Sequence, residues 1–289
     1  MKKRGLRSFS FSPADRIKMV EKSLQLQCDA IIYDLEDSVS ADHKELARQV
    51  LRELKKNTDL SGVCYFIRIN SMDSPYYKAD RELAAELVPT GVVLPKATPE
   101  SLTDLSAFFD KVEDNNGLER GSILINPICE TAFAMEHLKE IFSSSMRIQY
   151  AMFGGEDLTR DLGIKRTQVG EELMYGRWRF VYACVAFGII PVDTVYINIH
   201  DLDGLLAEIE TVKNMGFRAK ACIHPSHIAA INEGFLPSEE ELAWAKKVLD
   251  ASALPQYSSL GSFSLDGEMI DIPVIHRAQD FIARADLAR

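Results

Sequence analysis

Ile148-Gln149-Tyr150-Ala151-Met152-Phe153-Gly154-Gly155-Glu156-Asp157-Leu158 is a short apolar run that stops at two glycines and two adjacent carboxylates. Six residues from Ile148 to Phe153, bounded by glycine, suit a buried strand better than a helix, which typically needs about 10–12. Glycine followed by acids reads as the end of that strand feeding the first turn of a helix, where carboxylates are favourable. The stretch is therefore one β-then-α unit, and the fold depends on how often that unit recurs.

Comparable runs occur at Leu6–Phe11, Ala30–Leu35, Val63–Ile69, Gly91–Leu94, Ser122–Asn126, Val192–Ile197 and Ala219–Ile223, which makes eight expected strands. Segments of helical periodicity lie between them, such as Ile17, Val20 and Leu24, then Leu46, Val50, Leu51 and Leu54. Nearly continuous apolar strands suit a parallel sheet buried on both faces, and eight units in about 250 residues match a TIM (β/α)₈ barrel. A doubly wound sheet is the structural rival, but no strand is followed by a dinucleotide turn or a P-loop. The barrel is expected over residues 1–250, with residues 251–289 forming a C-terminal lid segment. In that segment Pro255–Ser262 reads as a linker and Phe263–Ile270 as a hairpin turned at Asp266-Gly267. Pro273–Ala288 reads as a helix with Val274, Ala278, Phe281 and Ile282 on one side.

The totals narrow the function classes. At 289 residues and 46% hydrophobic, the chain can hold one large core and a small appendage. A net charge of -10 with no local basic cluster disfavours nucleic acid. The basic start is not followed by an apolar core, so a secretory leader is not expected, and no apolar stretch approaches the ~20 residues that span a bilayer. Five scattered cysteines without a C-x-x-C pair argue against both a disulfide framework and a zinc site. A cytoplasmic location is expected.

In a barrel, chemistry gathers where the strands end. Strand two runs into Asp34-Leu35-Glu36-Asp37, strand three carries Arg68 and Asn70, and strand four ends in Pro95-Lys96. Strand five leads through Asn126-Pro127 to Glu130, strand six meets Glu156-Asp157, and strand eight ends in His224-Pro225. Glu130 and Asp157, from adjacent strand ends, suit Mg²⁺, which is commonly held by one or two protein carboxylates. The plainer alternative is that each acid serves the N-terminus of the helix that follows. Arg68 needs a partner inside a strand, and its fork fits either a substrate carboxylate or an ion pair with Glu36 or Asp37; the two roles are compatible.

Other residues weigh less. Lys18 and Lys22 share a helix face near Arg16 and fit either phosphate binding or a solvated face. His224 and His227 lack a third ligand for zinc, and Cys129 lacks a base. Lys96 fits a Schiff base less well than a structural or electrostatic role. Gly154-Gly155-Glu156-Asp157 echoes the signature of cyclic-dinucleotide synthases, but with the acids in a different order and in a strand feeding a helix.

Taken together, the chain resembles the citrate lyase β-subunit-like (CitE-like) acyl-CoA lyases of the HpcH/HpaI aldolase superfamily, which include malyl-CoA and citramalyl-CoA lyases. The resemblance rests on Arg7-Ser8 with Pro13, Asp34-Leu35-Glu36-Asp37-Ser38-Val39, Arg68-Ile69-Asn70, Leu94-Pro95-Lys96 and Glu130-Thr131-Ala132. It continues through Gly155-Glu156-Asp157-Leu158, Lys220 with Ile223-His224-Pro225, and Gly267 to Pro273. It implies Mg²⁺ on Glu130 and Asp157, Arg68 on the carboxylate of an α-keto acid, and CoA along Phe11, Lys18, Lys22, the Glu36–Asp37 loop, Ile223 and His224. It also implies a homotrimer in which Asp271, on the lid of one subunit, transfers a proton in the site of its neighbour.

The implied reaction is a reversible Claisen-type cleavage of a 3-hydroxyacyl-CoA, such as malyl-CoA or citramalyl-CoA, to acetyl-CoA and an α-keto acid. The alternatives are the β subunit of a citrate lyase complex, acting on a citryl thioester of an acyl carrier protein, and a non-catalytic CoA- or carrier-binding module. Two departures from the pattern stand out: Ala14 replaces a glycine after the first-strand proline, and Trp178 occupies a position where a small residue is common.

Overall fold

A computed structural model describes residues 5–254 and 261–287. Eight parallel strands close into a barrel: β1 (Ser8–Pro13), β2 (Ala30–Asp34), β3 (Tyr65–Arg68), β4 (Gly91–Leu94), β5 (Leu124–Cys129), β6 (Tyr150–Phe153), β7 (Ile190–Asp193) and β8 (Ala219–Cys222). Closure comes from β1 pairing with both β2 and β8, with Ser8 opposite Lys220 and Ser10 opposite Cys222. β2, β4, β5, β6 and β8 are buried along their whole length, which is why their sequences are nearly unbroken apolar runs. Phe9 packs inside against Phe66 and Tyr150, at ring-centroid distances of 5.8 and 5.3 Å.

All eight expected strands form, with shifted ends. β5 runs past Asn126 and through Pro127 because β6 pairs Ile128 with Met152 and Cys129 with Phe153. Pairing of this kind leaves no trace in hydropathy. Helix faces shift similarly: in helix Lys44–Asn57 the buried apolar residues are Ala47, Val50, Leu51 and Leu54, whereas Leu46 is exposed. On helix Ile17–Ser23 Val20 is buried but Ile17 is 54% exposed, so the expected apolar stripe reduces to one residue and part of Leu24.

Packing divides the described residues into Arg7–Asn232 and a second unit comprising the residues before Arg7 together with those from Glu233 onward. In the second unit helix Glu239–Ser252 starts with a capping box, Ser238 and Glu241 satisfying each other's backbone N–H groups. A hairpin follows, β9 (Ser262–Leu265) and β10 (Glu268–Asp271), turned at Asp266-Gly267 with φ of 52° and 85°. Positive φ at both central residues matches the twist of antiparallel strands. Helix Ile272–Leu287 places Ala278, Val274, Phe281 and Ile282 in a small core with Ala245, Val248, Phe263 and Ile270, as the periodicity predicts. Residues 255–260 of the expected linker and Ala288 lie outside the described residues.

At the start of β5 and β6, the barrel end opposite the strand carboxyl termini, a buried ion pair ties helix Pro99–Asn116 to the sheet. Arg147 donates to both oxygens of Glu113, at 2.7 and 2.6 Å, and Glu113 also accepts the N–H groups of Gly121 and Ile123. Burial opposes the charge, but Arg147 and those amides hold the Glu113 carboxyl down at about 2, against an ordinary 4.5. Because the folded value is depressed, the stabilisation is complete above about pH 4.5 and is lost as pH falls towards 2. Glu113→Gln is expected to lower unfolding stability at pH 7 by about 3 kcal/mol. In urea melts, the gap between wild type and variant should shrink as pH falls below 4.5.

Candidate active site

A cavity of about 380 Å³ lies at the carboxyl ends of the strands. Its walls include Phe11, Asp34, Arg68, Glu130, Gly154, Glu156, Asp157, Thr194 and Ile223, drawn from around the barrel. The polar groups there sit on strand ends or on the turns and helix starts that follow them.

Register sets the first pair. β2 and β3 place Asp34 directly opposite Arg68. The guanidinium engages both oxygens of that carboxylate, Nε on Oδ1 and Nη2 on Oδ2, each at 2.6 Å. Asp34 is 1% exposed, and although burial alone would raise its pKa, Arg68 holds the carboxyl below the usual range. The same carboxylate accepts the N–H groups of Glu36 and Ser38. That turns the loop so that the Glu36 carboxylate lies 3.2 Å from Arg68 and 2.7 Å from the Lys96 ammonium. Asp37 reaches Arg68 only at 3.9 Å and is largely exposed. The Arg68 ion pair expected with Glu36 or Asp37 is thus made chiefly with Asp34. Arg68 has five donors; Asp34 takes two and Glu36 lies against a third, leaving donors for a further carboxylate in the cavity that Arg68 lines. The Phe11 ring lies 4.9 Å from the guanidinium carbon.

The second pair is Glu130 and Asp157. Helix Ala132–Glu136 is capped by Thr131, whose hydroxyl accepts the Ala134 N–H, so Glu130 is not needed as a helix cap. Glu130 is 3% exposed and accepts the Lys96 backbone N–H on Oε1 at 2.8 Å. Burial, then the charges of Asp157 and Glu36, push its pKa up to about 8. Asp157 and Glu156 do occupy the first turn of helix Gly155–Asp161, so for them a helix-terminus role holds as well. Asp157 pairs with Arg160 at 2.6 Å, and Glu156 with Arg166 at 3.1 Å.

The glycines have a specific reason. A Cβ on Gly154 would sit 2.3 Å from the Glu130 Cβ and 2.8 Å from its Oε2. The space Gly154 leaves is filled by Glu130 rather than kept open for a ligand; Gly155 makes comparable room for Leu173 and Thr194.

Residues 7–225 match the family described as HpcH/HpaI aldolase/citrate lyase. A mitochondrial citramalyl-CoA lyase of Rattus norvegicus is 31% identical, covering 96% of this chain and 86% of its own length. The citrate lyase subunit beta of Escherichia coli is 31% identical, with 99% and 95% covered. The crystal structure of the protein CitE from Mycobacterium tuberculosis, in complex with magnesium, acetoacetate and coenzyme A, superposes with a TM-score of 0.82 at 30% identity, covering 99% of this chain and all of that one. The chain belongs to this family and is a lyase.

Within the lyase, the residues singled out in the sequence fall into two groups. Phe11, Arg68, Glu130, Asp157 and Ile223 line the cavity, while Lys18 and Lys22 are exposed on the helix after β1 and do not line it. His224 Nδ1 pairs with the Ser226 hydroxyl at 2.7 Å. Asp271 belongs to the C-terminal unit, where it ends β10 and accepts the Val274 N–H at 3.2 Å at the start of the last helix. Lys96 is an ion-paired ammonium: burial works against its charge, but Glu36 holds its pKa above the ordinary lysine value, the opposite of what a Schiff-base lysine requires. Cys129 is fully buried, which pushes its thiol far up, in keeping with a packed residue. Ala14 is also fully buried, with its N–H on the Asp34 carbonyl, whereas Trp178 is 42% exposed and does not serve as core packing.

Asp34 as the clamp on Arg68 and the Lys96 amide on Glu130 were missed, because strand register and backbone direction are absent from a linear motif. Gly154→Ala is expected to displace Glu130 and lower lyase turnover by about 100-fold. The thermal midpoint should fall by only a few degrees, and a variant with full activity would show that Glu130 does not depend on that space.

Proposed function

We propose that this lyase cleaves, reversibly, a 3-hydroxyacyl-CoA of the malyl-CoA or citramalyl-CoA type to acetyl-CoA and an α-keto acid, with Mg²⁺ held by Glu130 and Asp157. The observation that supports this reading is one cavity lined by a clamped arginine and by the carboxylates of Glu130 and Asp157. The donor set fits the cation: both groups offer oxygen ligands, and burial, then the charge of Asp157, raises Glu130 above the usual carboxylate range. When bound there, Mg²⁺ supplies Lewis-acid polarisation of the substrate's keto or hydroxyl oxygen.

The chain's own groups do the rest. Arg68, fixed by Asp34 and Glu36, takes the keto-acid carboxylate and orients the bond to be broken. Glu36 orients Arg68 in this reading, since its carboxylate turns inward rather than towards a CoA chain. Phe11 and Ile223 flank the acyl thioester, and Lys18, Lys22, Asp37 and His224 complete the CoA contacts. Of the acids that line the cavity, Asp34 pairs with Arg68, Glu156 with Arg166 and Asp157 with Arg160, and in this reading Glu130 and Asp157 take the cation. The resemblance to the family assigns the proton returned to the α-carbon of acetyl-CoA to Asp271, delivered by the lid of a neighbouring subunit in a homotrimer. None of the five cysteines is in a disulfide, which supports a cytoplasmic location.

A panel of CoA thioesters assayed with and without Mg²⁺ tests the reading. Turnover is expected only with the cation, and Glu130→Gln or Asp157→Ala should lower kcat/KM by about 10²- to 10³-fold. Asp271→Asn should abolish turnover while leaving keto-acid binding unchanged; retained turnover would remove Asp271 from the mechanism. The two kinds of relative are equally similar, so a citryl thioester on an acyl carrier protein belongs in the panel. Turnover of that substrate alone would assign the chain to a citrate lyase complex.

A further inference from the structure

Lys96 holds an uncommon backbone conformation for a residue with a side chain, φ 48°, in the left-handed region. It makes two contacts from that position. Its N–H donates to Glu130 Oε1 at 2.8 Å, and its Nζ donates to Glu36 Oε1 at 2.7 Å. The other tether on this turn, the Ala97 N–H on the Ile128 carbonyl, is longer at 3.3 Å. Glu36 is a firm anchor: it is 5% exposed, touches Arg68, and its own carbonyl accepts the Lys44 ammonium at 2.7 Å.

We infer that Lys96 is a positioning residue: its side chain, tied to Glu36, holds its own backbone left-handed so that the N–H fixes Glu130 Oε1 and leaves Oε2, beside Gly154, for the cation. The inference rests on the reading of Glu130 and Asp157 as the metal ligands. It gives the lysine a role that needs neither a Schiff base nor contact with substrate. It also links the two halves of the site, because the ion pair that steadies Arg68 through Glu36 steadies Glu130 through Lys96.

Glycine adopts positive φ without a side-chain penalty and keeps the N–H, so it separates the backbone's role from the ammonium's. The test is Mg²⁺ titration by calorimetry on the full chain without thioester, comparing wild type, Lys96→Met, Lys96→Gly, Lys96→Asn and Glu130→Gln, with thermal melts for each. Lys96→Met should weaken Mg²⁺ binding by about 10- to 100-fold, the usual effect of losing a group that orients a metal ligand. Lys96→Gly should stay within about threefold of wild type, and Lys96→Asn, whose side chain tolerates the left-handed region, should fall between. If Lys96→Met unfolds, the glycine and asparagine variants carry the comparison. Wild-type affinity in Lys96→Met, or equal weakening in Lys96→Gly and Lys96→Met, would overturn the positioning role while leaving the metal site intact. Unchanged affinity in Glu130→Gln, or no saturable binding by wild type, would overturn the metal reading and this inference together.

Discussion

The site depends on one buried fork between Asp34 and Arg68. Two charged groups at the end of adjacent strands carry a large desolvation cost, offset only when the geometry is good and the remaining donors and acceptors are satisfied. Here both conditions hold: the fork is bidentate at 2.6 Å, and the second lone pairs of Asp34 take the amides of Glu36 and Ser38. Satisfying Asp34 therefore shapes the loop, and the loop brings Glu36 to Arg68 and Lys96. A continuous chain of charge runs from β2 across β3 to the turn after β4, and through the Lys96 amide to Glu130 after β5.

The two ends of the barrel use charge differently. At the end opposite the site, Glu113 and Arg147 are matched, buried and fully hydrogen-bonded, an arrangement that stabilises the fold. At the site end Asp34 pairs with Arg68 and Asp157 with Arg160, whereas burial and neighbouring carboxylates raise the pKa of Glu130. Glu130 accepts the Lys96 backbone N–H, and Lys96 sits in a conformation that typically costs roughly 1–3 kcal/mol. Strain and like charges at strand ends are held there by the closed, packed barrel beneath them.

Much of this was legible in the chain. The alternation of apolar runs with helical segments, the polar residues at strand ends, the Asp266-Gly267 hairpin turn and the face bearing Val274, Ala278, Phe281 and Ile282 all depend on neighbours a few residues apart. What was not legible depends on partners dozens of residues away. Leu46 was expected inside and lies outside, Trp178 is exposed, and Arg68 meets Asp34 before Glu36.

The sequence by itself determined the repeating unit, because burial of a strand on both faces and of a helix on one writes a period into the chain. It also determined which side chains carry charge near strand ends. Only the tertiary structure decided how those charges pair. Strand register and backbone direction, which place Asp34 opposite Arg68, turn the Lys96 N–H towards Glu130 and fill the space at Gly154, exist only once the barrel has closed.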